Sequence, residues 1–343
     1  MILGIESSCD ESALALLSDE GSILGEWVQS QILKHAEYGG VVPDLAVGQH
    51  LQNFAPLLEI AKGEFDLQEC VNQIAVTCGP GLVGCLAMGI SVAKSLGLLW
   101  GIPVYGVNHL RGHAYSPFIN FDPARKLDGL LPHLGLLVSG GNTLLFEITP
   151  SQQIQVLAKT MDDAAGECLD KGGKLLGIPY PGGAELEQVG KGGDENAFSF
   201  PRAFPEKDEM RFSFSGLKTS LLYTLKKMEE SDVRKYYKDL CASYQAAVVD
   251  QLTRKTEHAI ALNDYRSVGL SGGVANNQSL RDGIADICKA QGIEFLPVAK
   301  KHTGDNAAMI AFASLVDSKG VWNNAEQKLT FNPSLKLDHV PSF

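Results

Sequence analysis

One layout occurs twice along the chain: an apolar strand, a short polar turn and a second apolar strand. At the N-terminus Leu3–Ile5 and Ser12–Leu17 are predicted strands joined by Glu6-Ser7-Ser8-Cys9-Asp10-Glu11. Leu134–Val138 and Leu144–Ile148 repeat this around Ser139-Gly140-Gly141-Asn142-Thr143. The two copies share layout more than residue identity. Short apolar runs bounded by turn residues are buried strands, and each must cover its faces with helices. Two α/β lobes that begin alike imply a duplicated, two-lobed fold with a central cleft.

The pattern between and beyond these copies fits that reading. Asp19-Glu20-Gly21 is a turn and Ile23–Ser30 a third strand. Leu51–Ala61 has helical periodicity, Gln73–Thr77 is a strand, Cys85–Leu99 an apolar helix and Ile102–Val107 a buried strand. Around Phe118–Leu131 the composition turns polar and carries Pro117, Pro123 and Pro132, which places a boundary there. The expected lobes are 1–125 and 126–304, the second with a helical insertion. In the second, Asp162–Leu176 is helical, Pro179–Pro205 a loop and Glu206–Asp250 mainly helical. Ser267–Leu270 is a strand, Gln278–Gln291 a helix and Ile293–Val298 a strand. A last helix, Asp305–Ser318, opened by its acidic residue, is expected to pack back on the first lobe, and 319–343 to be an irregular tail.

With 343 residues, 45% of them hydrophobic, the chain has material for about two domains. A net charge of −11 excludes nonspecific nucleic-acid binding by the whole surface, leaving a local basic patch or a partner protein to bring RNA. The 7 cysteines are scattered and form no CxxC pair, which excludes a zinc ribbon or thioredoxin-type site and suits a reducing cytoplasm. The N-terminus lacks the features of a signal peptide, and no run of about 18 apolar residues is read. The expectation is a cytoplasmic protein with no membrane span.

His109 and His113 follow the strand at Ile102–Val107. On a helix, residues i and i+4 share one face, so two imidazoles there can bind one metal ion. The spacing alone fits two partly solvated histidines better than a metal site. It is not the His-Glu-x-x-His protease motif, because no Glu follows the first histidine. Gly79-Pro80-Gly81-Leu82-Val83-Gly84 matches GxGxxG, but it follows a strand that is not the first, and the next strand lacks an acidic ribose ligand. The polar turns after the two opening strands, and Ser271-Gly272-Gly273-Val274-Ala275-Asn276-Asn277, are better candidates to cradle a phosphate or nucleoside. Asp10 and Glu11 lie in the first turn. Asp163, Glu167 and Asp170 fall on one helical face, either solvated or facing a cation or ribose hydroxyls. Asp305 is either a helix cap or an oxygen ligand completing a ferrous or zinc site with His109 and His113.

Taken in order, several motifs resemble one family. They are Gly4-Ile5-Glu6-Ser7-Ser8-Cys9-Asp10-Glu11-Ser12, Gly39-Gly40-Val41-Val42-Pro43-Asp44, the Gly79–Gly84 loop, His109-x-x-x-His113 and Val138-Ser139-Gly140-Gly141-Asn142-Thr143. Asp162-Asp163-Ala164-Ala165-Gly166-Glu167, Tyr180-Pro181-Gly182-Gly183, Phe212-Ser213-Phe214-Ser215-Gly216-Leu217-Lys218-Thr219, Ser271-Gly272-Gly273-Val274 and Gly304-Asp305-Asn306 follow. The chain resembles, from Ile2 to roughly Ser314, the universal tRNA threonylcarbamoyladenosine transferases, once called O-sialoglycoprotein endopeptidases. The resemblance implies an ASKHA (actin/Hsp70/sugar-kinase-like) fold. It implies transfer of threonylcarbamoyl from threonylcarbamoyl-AMP to N6 of adenosine 37 in tRNAs reading ANN codons.

It further implies a divalent metal, Fe(2+) or Zn(2+), held by His109, His113 and Asp305. The adenylate would lie against Leu137, Val138, Ser139, Gly140, Gly141, Asp170, Gly183, Glu187 and Asn277. An inactive paralogue and an ATPase subunit are implied as partners, with a separate synthase making the adenylate. Asn142 departs from the His usual in bacterial relatives, and Leu137 stands where archaeal-type relatives carry a Tyr, so a tyrosyl ligand is not implied. In the acyl-type transfer expected here, Glu11 or Asp10 accepts the amine proton. The rivals are a small-molecule kinase on the same fold, which does not explain the histidine pair, and a non-catalytic scaffold, which would not need it.

Overall fold

The computed structural model describes residues 1–119, 127–206, 209–323 and 328–341. The chain divides into two compact units. One comprises Met1–Leu127, Gln152–Ile154 and Gly304–Phe343, the other Asp128–Ser151 and Gln155–Thr303. The boundary expected at 125/126 lies outside the described residues.

In the first unit, β1 (Ile2–Glu6) is buried at every residue, as a central strand covered on both faces must be. It pairs antiparallel with β2 (Glu11–Leu17), which pairs antiparallel with β3 (Ile23–Ser30). Short α1 (Ile32–Ala36), long α2 (Pro43–Glu64) and α3 (Leu67–Cys70) follow. Then β4 (Gln73–Gly79) returns parallel to β1. α4 (Val83–Trp100) leads to β5 (Val104–Asn108), parallel to β4, and α5 (His109–Tyr115) begins at once.

In the second unit, β6 (His133–Val138) and β7 (Thr143–Ile148) form the second hairpin, extended by β8 (Ile154–Lys159). α6 (Ala165–Leu175), α7 (Gly182–Gly190), α8 (Ser215–Lys227), α9 (Glu230–Lys235) and α10 (Tyr237–Leu262) precede β9 (Ser267–Ser271), which lies parallel to β6. α11 (Gln278–Gln291) and β10 (Glu294–Pro297) close the unit. The chain then re-enters the first unit with α12 (Ala307–Val316) and β11 (Val321–Asn323), antiparallel to β5.

The duplication read from the sequence is real. One sheet runs β11-β5-β4-β1-β2-β3 and the other β10-β9-β6-β7-β8, the same order apart from the added edge strand. Each has its own apolar core. Leu3, Ile5, Leu14, Phe54, Ile74 and Ile90 contribute to the first, and Leu134, Leu136, Leu169, Phe212, Tyr244 and Leu270 to the second. Gly4 is a close-approach point in the first unit, because a Cβ there would overlap the carbonyl oxygen of Ala307. α12 can therefore lie directly on β1.

Several local expectations differ from the structure. β8 was not anticipated, and α7 lies inside the stretch read as a loop. The helix read at 51–61 begins at Pro43, whose fixed φ suits a first helical turn. α10 continues past Asp250 to Leu262. α12 starts at Ala307, with Asn306 as its cap accepting from the Met309 amide at 2.9 Å, so Asp305 is not the capping residue. α4 is an 18-residue helix long and apolar enough, by length and composition, to cross a membrane, where no such run was read. In the first unit it buries Cys85, Leu86, Gly89, Ile90, Ala93 and Gly97. The tail is not simply irregular: it contains β11 and buries Leu329, Leu335 and Leu337.

Candidate metal centre

The end of β5 becomes α5 without a loop because Asn108 caps it, its side chain accepting from the Leu110 amide at 2.9 Å. His109 and His113 then stand one turn apart, their ring centroids separated by 4.8 Å. Asp305 arrives from the segment before α12. Its Oδ1 lies 3.0 Å from His113 Nε2 and 3.4 Å from His109 Nε2. One donor atom from each of the three residues lies within 4.8 Å of the others, so the group could hold a metal ion. The donors suit a divalent cation: two imidazoles and a carboxylate leave positions open for substrate oxygens. His113 presents Nε2 to Asp305, while its buried Nδ1 has no partner among the described residues.

A residue missed in the sequence fixes His109. Glu6, at the end of β1 and fully buried, lies 3.2 Å from His109 Nδ1. The Ser8 hydroxyl is also 3.2 Å from that nitrogen. Glu6 accepts from the Ser8 amide at 2.5 Å and from the Thr77 hydroxyl. A carboxylate on one ring nitrogen orients the other toward the metal position. Burial opposes charge here, but the Asp305 and Glu6 carboxylates win, and His109 is held protonated well above its ordinary range. Asp305 and Glu6 are correspondingly lowered, each against its own desolvation, chiefly by His109.

Asp10 and Glu11 close the β1–β2 turn in the same unit. Glu11 is pushed up to about 10, by burial first and then by Asp305 and Asp10, so in the metal-free protein it carries its proton.

The second unit gathers the remaining candidates. Leu137 and Val138 are fully buried at the end of β6. In the β6–β7 turn the Ser139 amide donates to the Asn142 carbonyl at 2.8 Å, and the Asn142 amide to the Ser139 hydroxyl at 3.0 Å. Neither bond uses the Gly140 or Gly141 amides, and both glycines are exposed. Asp170 accepts from the Gly183 amide at 2.9 Å, and Glu187 from the Gln278 amide at 2.7 Å. Asn277 caps α11 and donates to Gln245 at 3.0 Å. These bonds bring α6, α7 and the start of α11 together around one polar set. At the acidic start of α6 the cation met is Lys171, which pairs with Asp163 at 2.7 Å and Glu167 at 2.9 Å.

Two sheets of one strand order and a His-His-Asp group define a two-lobed α/β protein of the ASKHA class with a candidate metal centre. Solved structures share this fold. Component A of (R)-2-hydroxyglutaryl-CoA dehydratase from Acidaminococcus fermentans matches with a TM-score of 0.53 at 15% identity, over 92% of this chain and 98% of that one. HypF of T. kodakarensis gives 0.58 at 13% identity, over 92% of this chain and 47% of that one. The family model described as tRNA N6-adenosine threonylcarbamoyltransferase matches residues 22–312. A protein of that name from Thermosipho africanus is 42% identical over 342 residues, 98% of this chain and 100% of the relative. Another from Anaeromyxobacter sp. is 44% identical over 315 residues, 91% of this chain and 92% of the relative. The chain belongs to the tRNA N6-adenosine threonylcarbamoyltransferase family, a family of acyltransferases. Nothing in these likenesses favours the kinase or scaffold readings.

Proposed function

We propose that this chain transfers the threonylcarbamoyl group of threonylcarbamoyl-AMP to N6 of adenosine 37 in tRNAs that read ANN codons. The observation that carries the reading is the convergence of His109, His113 and Asp305 in a member of this family. The exocyclic nitrogen of adenosine forms a bond to the carbamoyl carbon, the bond from that carbon to the phosphate oxygen breaks, and AMP leaves. Gly140 and Gly141 present backbone amides to the phosphate, and Asp170, Gly183, Glu187 and Asn277 hold the nucleoside. Asp10, with Glu11 beside it, accepts the proton lost by the amine. His109, His113 and Asp305 hold one divalent ion, Fe(2+) or Zn(2+), which when bound supplies Lewis-acid polarisation of a carbonyl. An inactive paralogue and an ATPase subunit complete the enzyme in the cytoplasm.

The test is nucleoside mass spectrometry of tRNA incubated with the metal-loaded protein, its partners and threonylcarbamoyl-AMP. Threonylcarbamoyladenosine at position 37 is the expected product, and it should vanish from cellular tRNA when the gene is depleted. Unmodified adenosine in the complete reaction, or unchanged modification after depletion, would overturn the reading.

A further inference from the structure

Arg111 lies on α5 between the two histidines and has no exposed surface. A guanidinium taken out of water must be paired, and each nitrogen of this one has a partner. Its Nη2 donates to Asp317 Oδ1 at 2.8 Å, its Nε donates to Asp317 Oδ2, and its Nη1 donates to the Leu337 carbonyl at 3.2 Å. Asp317 is equally buried, and its Oδ1 also receives the Gly320 amide at 3.1 Å. A Cβ at Gly320 would fall on Arg111 Nε and Asp317 Oδ2, so the chain crosses the ion pair only as glycine.

Asp317 follows the last residue of α12 as its C-cap, while Asp305 precedes the first. The fork-to-carboxylate pair therefore ties the helix carrying both histidines to the far end of the helix whose near end carries the third donor. α12 is about 15 Å long at 1.5 Å per residue, long enough for a small slip or rotation at one end to move the other. Gly112 adds to this: a Cβ there would stand 2.9 Å from Ile310 Cδ1, so α5 and α12 sit at close approach with no side chain to key them together on that side. Apolar contact has no direction, whereas a bidentate pair fixes both distance and rotation.

We propose that Arg111 and Asp317 are positioning residues for the metal centre, holding α5 in register with α12 so that His109, His113 and Asp305 converge. This rests on the metal-binding reading above. A buried ion pair replaced by apolar residues of similar volume often leaves stability unchanged, so register and stability can be separated.

The experiment uses the full chain and Co(2+) alone as probe, following d–d absorption during titration, with thermal melting as the measure of fold. The double variant Arg111→Met/Asp317→Leu should melt close to the wild type, yet bind Co(2+) at least tenfold more weakly with a shifted d–d band. Arg111→Lys keeps the charge without the fork, and should fold and bind Co(2+) several-fold more weakly. Wild-type affinity and spectrum in either folded variant would overturn the proposal. The two readings fail separately. Absence of modified tRNA from a wild type that binds Co(2+) strikes the proposed function alone, and wild-type Co(2+) spectra in the variants of an active enzyme strike this inference alone.

Discussion

Glu6 Oε2 lies 3.2 Å from His109 Nδ1, so a fully buried carboxylate faces this imidazole of the candidate metal centre from the side opposite Asp305. In the metal-free protein this arrangement stores a proton on His109, whose pKa is raised well above 6.5. A divalent ion must displace that proton. Apparent metal affinity should therefore rise about tenfold per pH unit between about pH 6 and 8, with close to one proton released. Calorimetry in buffers of different ionisation enthalpy measures both. For the metal-free fold the sign is opposite: the stability contributed by the His109 proton is complete below 6.5 and is lost as pH rises through the folded value. Metal affinity flat across this range would show that His109 binds no proton there.

His109→Ala, His113→Ala and Asp305→Ala should each lower metal content and transferase activity. The losses should exceed the roughly 10- to 100-fold typical of removing an outer-shell partner. Glu6→Gln, which keeps a hydrogen-bonding group of the same size, should fall within that range. Elemental analysis of the purified variants checks the ligands, and normal metal content in all three alanine variants would remove them from the site.

Gly141→Val tests the phosphate loop. A Cβ at Gly141 meets nothing within 4 Å, so the variant should fold. The added bulk should keep the backbone from a phosphate and weaken AMP binding about tenfold or more. Unchanged AMP affinity by calorimetry in the folded variant would place the phosphate elsewhere.

Asp162 caps α8 from a distant loop. It accepts from the Phe214 amide at 2.8 Å and from the Ser213 and Ser215 hydroxyls at 2.5 and 2.7 Å. Despite partial burial, these bonds lower its pKa below 3.8. Its contribution is therefore present above the unfolded value and lost as pH falls through the folded one. Asp162→Ala should cost about 1 kcal/mol at neutral pH, a typical capping loss, and the gap in melting temperature should close in acid. A gap that does not narrow as the solution is acidified would mean the carboxylate charge is not what caps α8.

At a net charge of −11, the isolated chain should bind tRNA weakly at roughly 150 mM salt. Lys171 is already committed to Asp163 and Glu167. Filter binding settles the matter: submicromolar affinity with a steep salt dependence would reveal a basic face on this chain alone.

What was legible in the sequence was local. The α11 span could be read because Asn277 caps its start and Gly292 ends it in the left-handed conformation. The duplicated hairpins could be read because apolar runs and turn residues alternate within a few positions. α7 was hidden because it opens on Gly182-Gly183, poor helix formers that the Asp170 carboxylate fixes from another helix. Asp305 was open to two roles until Asn306 proved to be the cap. The histidine pair was visible from spacing, but Glu6, Arg111 and Asp317 were not. Their partners lie 103 and 206 residues away, beyond any periodic signal. Leu329, Leu335 and Leu337 lie in a stretch that forms neither helix nor strand, and only tertiary burial marks them.

His113 and Asp305 are 192 positions apart, with the whole of the second unit between them. At about 5–20 residues per second, a ribosome needs roughly 10–40 seconds to travel that interval. Throughout it, α5 presents two histidines without their carboxylate, and Arg111 waits for Asp317. A nascent chain can therefore offer an incoming ion only a two-nitrogen site. Loading of the proposed site would belong to the last moments of synthesis or later, when the cell's metal supply rather than the order of translation would decide which ion is captured.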